Sequence, residues 1–131
     1  MIRLLIADDH LIIRQGLRLI LETEDEFEIV AKASDGAEAI DLCEEINPDV
    51  VLMDLRMPGM DGLTAIEKLR EIQPEIAVVI LTTFNEDELM LRGLQAGARG
   101  YLLKDTDRNA LFDTIRAAAR GETLLKPEIM Q

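Results

Sequence analysis

The sequence predicts an α/β fold in which five parallel strands form one doubly wound sheet with helices on both faces. Short, nearly apolar runs alternate five times with longer segments of helical periodicity. Right-handed crossovers between parallel strands then place the helices on the two faces of the sheet. The chain has 131 residues, the size of a single domain, and residues 122–131 lack a clear period and are expected to be a tail or the start of a linker after a domain at 1–121.

The strands are predicted from runs that contain few polar residues. Four runs are almost wholly apolar, which is typical of parallel strands covered on both faces: residues 2–7, 50–53, 76–81 and 101–103. A fifth run, residues 28–33, mixes polar and apolar side chains and is expected to lie at an edge of the sheet.

The helices are predicted from apolar residues that share one face. In chain order these sets are Ile13, Leu17, Ile20 and Leu21; Ala37, Ile40 and Cys43; Leu63, Ile66, Leu69 and Ile72; Met90 and Leu94; and Leu111, Phe112, Ile115, Ala118 and Ala119.

Polar and glycine residues mark where these helices begin and end. Asp61, Asn85 and Thr106 stand where residues that cap a helix N-terminus belong. Gly97 and Gly121 stand just past helical segments, as residues that end a helix usually do.

Charge and cysteine content exclude several functions. With 14 basic and 26 acidic residues, the net charge of −12 opposes binding of this chain alone to nucleic acid or to an anionic membrane. No apolar run approaches the roughly 20 residues that span a bilayer. Cys43 is the single cysteine and no export signal is recognisable, so a cytoplasmic location is expected.

Polar residues that follow the predicted strands indicate a binding site. In an open α/β sheet, ligands bind beyond the carboxyl ends of the strands. The residues at those positions are three carboxylates, two hydroxyls and one ammonium group: Asp8, Asp9, Asp54, Thr82, Thr83 and Lys104.

The three carboxylates point to a metal-assisted phosphoryl transfer. Carboxylates packed together repel one another unless a cation is present, and Mg²⁺ prefers oxygen ligands. A carboxylate can also be the nucleophile that forms an aspartyl phosphate. Asp54 suits that role, with Mg²⁺ held by Asp8 and Asp9 and with Lys104 and Thr82 contacting the phosphoryl oxygens.

Four segments of the chain resemble bacterial two-component response-regulator receiver domains. They are Ala7-Asp8-Asp9-His10, residues 52–62 (LMDLRMPGMDG), Leu81-Thr82-Thr83 and residues 96–105 (AGARGYLLKD). The last segment is similar to the NarL/FixJ (LuxR-type) subfamily. The resemblance spans about residues 2–121 and implies a flavodoxin-like fold with strand order 2-1-3-4-5.

The resemblance also implies a role for each site residue. It makes Asp54 the phosphoacceptor and assigns the metal to Asp8, Asp9 and Asp54 together with the backbone carbonyl of Arg56. It gives Thr82, with Thr83 beside it, Lys104 and Tyr101 the contacts and movements of a phosphorylation switch. One departure is Asp105, which stands where many receivers have proline after a cis peptide bond; the isomer is left open. Arg56 and Phe84 occupy positions that tune phosphate loss in the family.

The partners implied by the resemblance are a sensor histidine kinase and a second copy of the chain. A C-terminal helix-turn-helix domain beyond residue 131 would bind DNA and regulate transcription. Phosphorylation would favour a homodimer through either the first and fifth helices or the fourth helix, fifth strand and fifth helix. The first of these faces is preferred because it carries apolar and basic side chains: Leu11, Ile12, Arg14, Arg18, Arg116 and Arg120.

Two other functions are compatible with parts of the pattern. A Mg²⁺-dependent phosphohydrolase would also use an aspartyl nucleophile, but Arg56 stands where its second acid is needed. A flavodoxin-like cofactor-binding module would need a phosphate-binding loop after the first strand, where Asp8, Asp9 and His10 stand instead.

Overall fold

A computed structural model describes residues 1–82, 87–104 and 107–122, apart from the side chain of Asp87. Its five strands form one parallel sheet in the order β2-β1-β3-β4-β5, which confirms the predicted fold class and strand order. The elements are β1 (Ile2–Ala7), α1 (Leu11–Leu21), β2 (Phe27–Ala33), α2 (Gly36–Ile46), β3 (Val50–Asp54), α3 (Gly62–Ile72), β4 (Ala77–Thr82), α4 (Asp87–Ala96), β5 (Gly100–Leu103) and α5 (Arg108–Ala119).

The sheet separates the core into two apolar layers. Successive side chains of a strand point to opposite faces, so Leu5 of β1 joins one layer and Leu4 the other. One layer contains residues of α2, α3 and α4, and the second contains residues of α1 and α5. Strand β2 is only partly buried, as expected for an edge. Within the described ranges, no helix is long and apolar enough to cross a membrane.

Two predicted strands end one residue later than expected, and both ends matter for the site. Asp54 pairs with Leu81 and is the last residue of β3, and Thr82 pairs with Leu103 and is the last residue of β4. The apolar runs stop one residue earlier because the last paired residue of each strand, Asp54 or Thr82, has a polar side chain. Both residues are therefore fixed by strand hydrogen bonds.

The helix ends confirm some predicted caps and correct others. Asp61 accepts a hydrogen bond from the Thr64 N–H, as a cap of α3 should. The prediction of Thr106 as the cap of α5 was wrong, because Asp107 holds that position and accepts from the Ala110 N–H. Thr106 and Asn85 themselves lie outside the described residues.

Three residues assigned to core faces are exposed. Ala37, near the start of α2, is exposed, while Ala39 is buried in its place. Ile72 is 49% exposed, because a spacing of three residues drifts by about 60° around a helix at each step and turns Ile72 away from Leu63. Ala119, the last residue of α5, is also exposed, while Ala117 is buried in its place. Gly97 and Gly121 have positive φ angles of 124° and 80°, as predicted for residues that end helices.

Helix α4 is held closely against the sheet and against α3. Gly93 faces Ile80 of β4 so closely that a Cβ atom at position 93 would collide with the Ile80 side chain. Arg70 of α3 donates from Nη1 to the Gln95 carbonyl at 2.9 Å, near the C-terminal end of α4. The Arg70 side chain also lies against Gly97.

The buried Cys43 thiol is expected to be unreactive while the protein is folded. Burial, assisted by the nearby charge of Glu44, raises the pKa of Cys43 to about 12, so little reactive thiolate forms at pH 8. We predict that iodoacetamide alkylates Cys43 at least about 100-fold more slowly in the folded chain than in urea. Mass spectrometry measures both rates, and comparable rates would show that this part of α2 is not packed as described.

Candidate functional site

The carboxyl ends of four adjacent strands bring the predicted site residues together. Asp8 follows β1, Asp54 and Thr82 end β3 and β4, and Lys104 follows β5. The Lys104 N–H donates to the Thr82 carbonyl at 2.8 Å, which extends the pairing of the last two strands into the site. Asp8, Asp54 and Thr82 are all buried.

Lys104 links two of the carboxylates. Its Nζ donates a hydrogen bond to Asp54 Oδ2 at 3.1 Å. The same Nζ lies 2.5 Å from Asp8 Oδ2, in an ion pair that lacks hydrogen-bond geometry. These three charged side chains are nearly inaccessible to solvent, so the two carboxylates depend on the Lys104 ammonium for compensation of their charge.

Burial and neighbouring charges shift the pKa values of Asp54 and Lys104. Burial raises the pKa of Asp54, as does the charge of Asp8, and the opposing effect of Lys104 does not fully offset them. Burial lowers the pKa of Lys104, but its contacts with Asp8 and Asp54 outweigh this and leave the pKa above its ordinary value. Lys104 therefore stays cationic at neutral pH, beside a carboxylate whose anionic form is poorly solvated.

The third acidic residue, Asp9, and a histidine, His10, complete the cluster. His10 Nδ1 lies 3.1 Å from Asp9 Oδ1 and 3.2 Å from Asp8 Oδ1, and the His10 N–H donates to Asp8 Oδ1 at 2.8 Å. One ligand atom from each of Asp8, Asp9, His10 and Asp54 lies within 4.8 Å of the others. Sequence reasoning did not include His10 among the site residues, although its place directly after the acid pair was a usable signal.

The donor set fits Mg²⁺. Three carboxylates converge, and Mg²⁺ is commonly held by one or two carboxylates together with water. The backbone of Arg56 runs beside them, because the Arg56 N–H donates to Asp54 Oδ1 at 3.3 Å. Asp9 and Arg56 also line an open groove of about 630 Å³ between the loop after β3 and α4, so the site can be reached from solvent.

The predicted switch residues are described in part. Tyr101 of β5 is buried in the core layer that contains α2, α3 and α4. Thr83, Phe84 and Asp105 lie outside the described residues, and so does the Lys104–Asp105 peptide bond.

Two glycines fix the loop that follows the phosphoacceptor candidate. The Gly36 N–H donates to the Met60 carbonyl at 2.8 Å, and a Cβ atom at position 36 would collide with the backbone of Met60 and Asp61. Gly62 lies against the backbone of Asp54, and its N–H donates to the Leu55 carbonyl at 3.0 Å. The N-terminal ends of α2 and α3 therefore position Asp54 through contacts between backbones.

The predicted dimer face contains exposed apolar side chains. Leu11 and Ile12 at the start of α1 are 57% and 81% exposed. Arg14 is half-buried, Arg18 donates to Glu22 at 2.7 Å, and Arg120 to Glu122 at 2.8 Å.

Arg116, the fourth arginine of that face, is engaged within the chain. It forms ion pairs with Glu26 and Asp113. Its guanidinium also lies 5.7 Å from the ring centroids of both Phe27 and Phe112. A change at Arg116 would therefore disturb the packing of α5 as well as any interface.

Comparisons with known proteins agree with this geometry. Residues 4–116 match the family described as the response regulator receiver domain. The chain belongs to this family. It is 49% identical over 129 residues to the transcriptional regulatory protein YdfI of Bacillus subtilis, covering 98% of this chain and 60% of YdfI. The receiver therefore spans about 60% of the length of such a curated relative.

Solved structures of response regulators have the same fold as this receiver. A LuxR-family two-component response regulator from Aurantimonas sp. SI85-9A1 superposes with a TM-score of 0.92 at 34% identity, covering 100% of this chain and 94% of that one. The receiver domain of the putative response regulator NarL from Mycobacterium tuberculosis gives 0.88 at 34% identity, with coverages of 92% and 98%. The fold and the order of elements are therefore those of the family.

The Gly62 contact predicts a large difference between two glycine substitutions. In Gly62→Ala, the added methyl group meets the backbone of Asp54, which cannot move without disturbing β3. We expect a loss of about 1–3 kcal/mol in unfolding free energy, the usual effect of overpacking. Gly16→Ala in α1 is the matched control, since no described atom outside the helix lies within 4 Å of its Cβ position. It should stabilise by about 0.5–1 kcal/mol. Urea unfolding measures both, and equal effects would contradict the close approach.

Proposed function

We propose that this receiver is a phosphorylation switch in which Asp54 accepts a phosphoryl group from a phosphohistidine of a sensor histidine kinase. The observation that supports this most directly is the position of Asp54. It is buried at a strand end, within 3.1 Å of the Lys104 ammonium and in one cluster with the Asp8–Asp9 pair. A nucleophile, a cation and a metal-binding acid pair are the parts that this transfer requires.

The transfer begins with attack by an Asp54 carboxylate oxygen on phosphorus. The phosphorus–nitrogen bond of the donor breaks, and the electron pair leaves with the imidazole. Burial favours this step, because a poorly solvated carboxylate loses little hydration on reacting. Lys104 Nζ, already beside Asp54 Oδ2, is placed to pair with a phosphoryl oxygen.

The metal completes the charge balance of the proposed site. Asp8, Asp9 and Asp54 would hold Mg²⁺ together with the backbone carbonyl of Arg56. When bound, Mg²⁺ neutralises charge on the phosphoryl oxygens.

Thr82 and Tyr101 would convert phosphorylation into a change of surface. The Thr82 hydroxyl moves to donate to a phosphoryl oxygen, and Thr83 is the next residue in the sequence. Tyr101 then occupies the inward position that this movement allows. Tyr101 is buried in this structure, on the strand beside the one that ends at Thr82. The affected surface contains α4, β5 and α5.

The proposed output is dimerisation followed by transcriptional regulation in the cytoplasm. The receiver has a net charge of −12, so we assign DNA binding to a further domain that residues 122–131 would connect to residues 1–121. The match to part of a protein named as a transcriptional regulator supports this assignment. The family match also favours the receiver over a phosphohydrolase or a flavodoxin-like cofactor-binding module.

The first test of this proposed function concerns the phosphoacceptor and its metal. Acetyl phosphate with Mg²⁺ should add one phosphoryl group to the chain, as measured by intact-mass spectrometry. Asp54→Asn should abolish this gain because the nucleophilic oxygen pair is lost. Asp61→Asn is the matched control, since Asp61 caps α3 and asparagine caps a helix equally well. An undiminished gain in Asp54→Asn would identify another acceptor, and equal labelling with a chelator present would remove the role of the metal.

The second test of this proposed function concerns the dimer face. Beryllofluoride, which imitates the phosphoryl group, should shift the receiver from monomer to dimer in sedimentation velocity experiments. Ile12→Asp should prevent the shift without unfolding the chain, because this side chain is 81% exposed. Leu91→Asp is the matched control on α4, where Leu91 is 47% exposed.

Three results of this experiment would change the assignment. A dimer that survives Ile12→Asp but not Leu91→Asp would transfer the interface to α4, β5 and α5. A dimer that survives both substitutions would contradict both faces. A monomer under all conditions would contradict phosphorylation-dependent dimerisation.

A further inference from the structure

His10 is the one side chain of the acidic cluster that the proposed phosphoryl transfer does not use. It occupies the N-cap position of α1, where serine, threonine, asparagine and aspartate are preferred because their side chains accept a backbone hydrogen bond. Among the described residues, the His10 side chain makes no such capping bond. Its ring is therefore not committed to the helix.

The ring instead faces the carboxylates of the metal site. Nδ1 lies within 3.2 Å of one oxygen of Asp8 and within 3.1 Å of one oxygen of Asp9. The same nitrogen belongs to the group of four ligand atoms that lie within 4.8 Å of one another. The side chain is 63% exposed, so it can adjust its position without disturbing the core.

A nitrogen donor changes the metal preference of a carboxylate site. Mg²⁺ binds oxygen ligands almost exclusively and dehydrates reluctantly. Imidazole suits zinc, copper, iron and nickel, and the affinity of mixed nitrogen and oxygen sites rises along the first transition series from manganese to copper. A site with His10 beside three carboxylates is therefore able to distinguish these ions from Mg²⁺.

We propose that His10 is a ligand for divalent transition-metal ions at the Asp8–Asp9–Asp54 site, where such an ion competes with Mg²⁺. This rests on the proposed function, because the same carboxylates hold Mg²⁺ there. The neutral imidazole binds the transition-metal ion through Nδ1, and the ion takes its remaining ligands from the carboxylates and from water. For Mg²⁺, His10 remains outside the ligand set.

Cobalt(II) is a suitable probe because its visible absorption reports its ligands. The complete 131-residue chain is titrated with Co²⁺ by absorption and with Mg²⁺ by isothermal titration calorimetry. His10→Ser removes the imidazole and provides a favourable N-cap, so α1 is retained. Gln15→Ala, an exposed position in the same helix, is the matched control.

The expected result is a loss of metal affinity in His10→Ser for Co²⁺ but not for Mg²⁺. His10→Ser should weaken Co²⁺ binding by at least about tenfold and change its absorption band, since groups that only orient a ligand already account for 10–100-fold. The affinity for Mg²⁺ should stay within about twofold, because Mg²⁺ does not use the ring. Gln15→Ala should change neither affinity.

Two results would overturn the inference. Equal losses of Co²⁺ and Mg²⁺ affinity would make His10 a residue that only positions Asp8 and Asp9. Unchanged Co²⁺ binding would leave the ring outside the metal site.

Labelling of His10→Ser by acetyl phosphate with Mg²⁺ separates this inference from the proposed function. Labelling that persists beside unchanged Co²⁺ binding overturns the inference alone, whereas a parent chain that is never labelled overturns the function.

Discussion

The contact of one buried ammonium group with two buried carboxylates is the interaction on which this site depends. Lys104 follows β5, whereas Asp8 follows β1, and β3 and β4 lie between those two strands. The long lysine side chain therefore spans the carboxyl edge of the sheet and contacts both Asp8 and Asp54. Without it, two carboxylates would be buried beside each other with no compensating charge, which proteins rarely tolerate. The order of the strands and the chemistry of the site thus depend on each other.

The backbone around Asp54 shows the same mutual dependence. Strand pairing fixes Asp54 on one side, and the contacts of Gly36 and Gly62 fix the loop that follows it. Because backbone atoms make these contacts, no change of side-chain rotamer can relax them. The backbone that carries this carboxylate is therefore held in place by the fold itself, and such pre-organisation would favour the phosphoryl transfer proposed above.

Much of this arrangement could be predicted from the sequence because it follows from simple periodicity. Apolar runs located the strands, and the rule for strand ends located Asp8, Asp54, Thr82 and Lys104. What failed depended on three-dimensional detail. Ile72 fits an apolar spacing of three but has rotated away from the core. The contacts of two residues were also missed. Those of Arg116 involve Phe27, which is distant in sequence, and those of His10 depend on the path of the turn after β1.

The attachment of Arg70 to the end of α4 determines how that helix can move. Its hydrogen bond to the Gln95 carbonyl holds the C-terminal end, and the close approach of Gly93 to Ile80 holds the last turns near β4. If the proposed phosphorylation of Asp54 displaced α4, the held segment Gly93–Gly97 would act as the pivot, and the first turn of the helix would move furthest. Leu91, exposed two residues before the pivot, would move less than the residues that precede it.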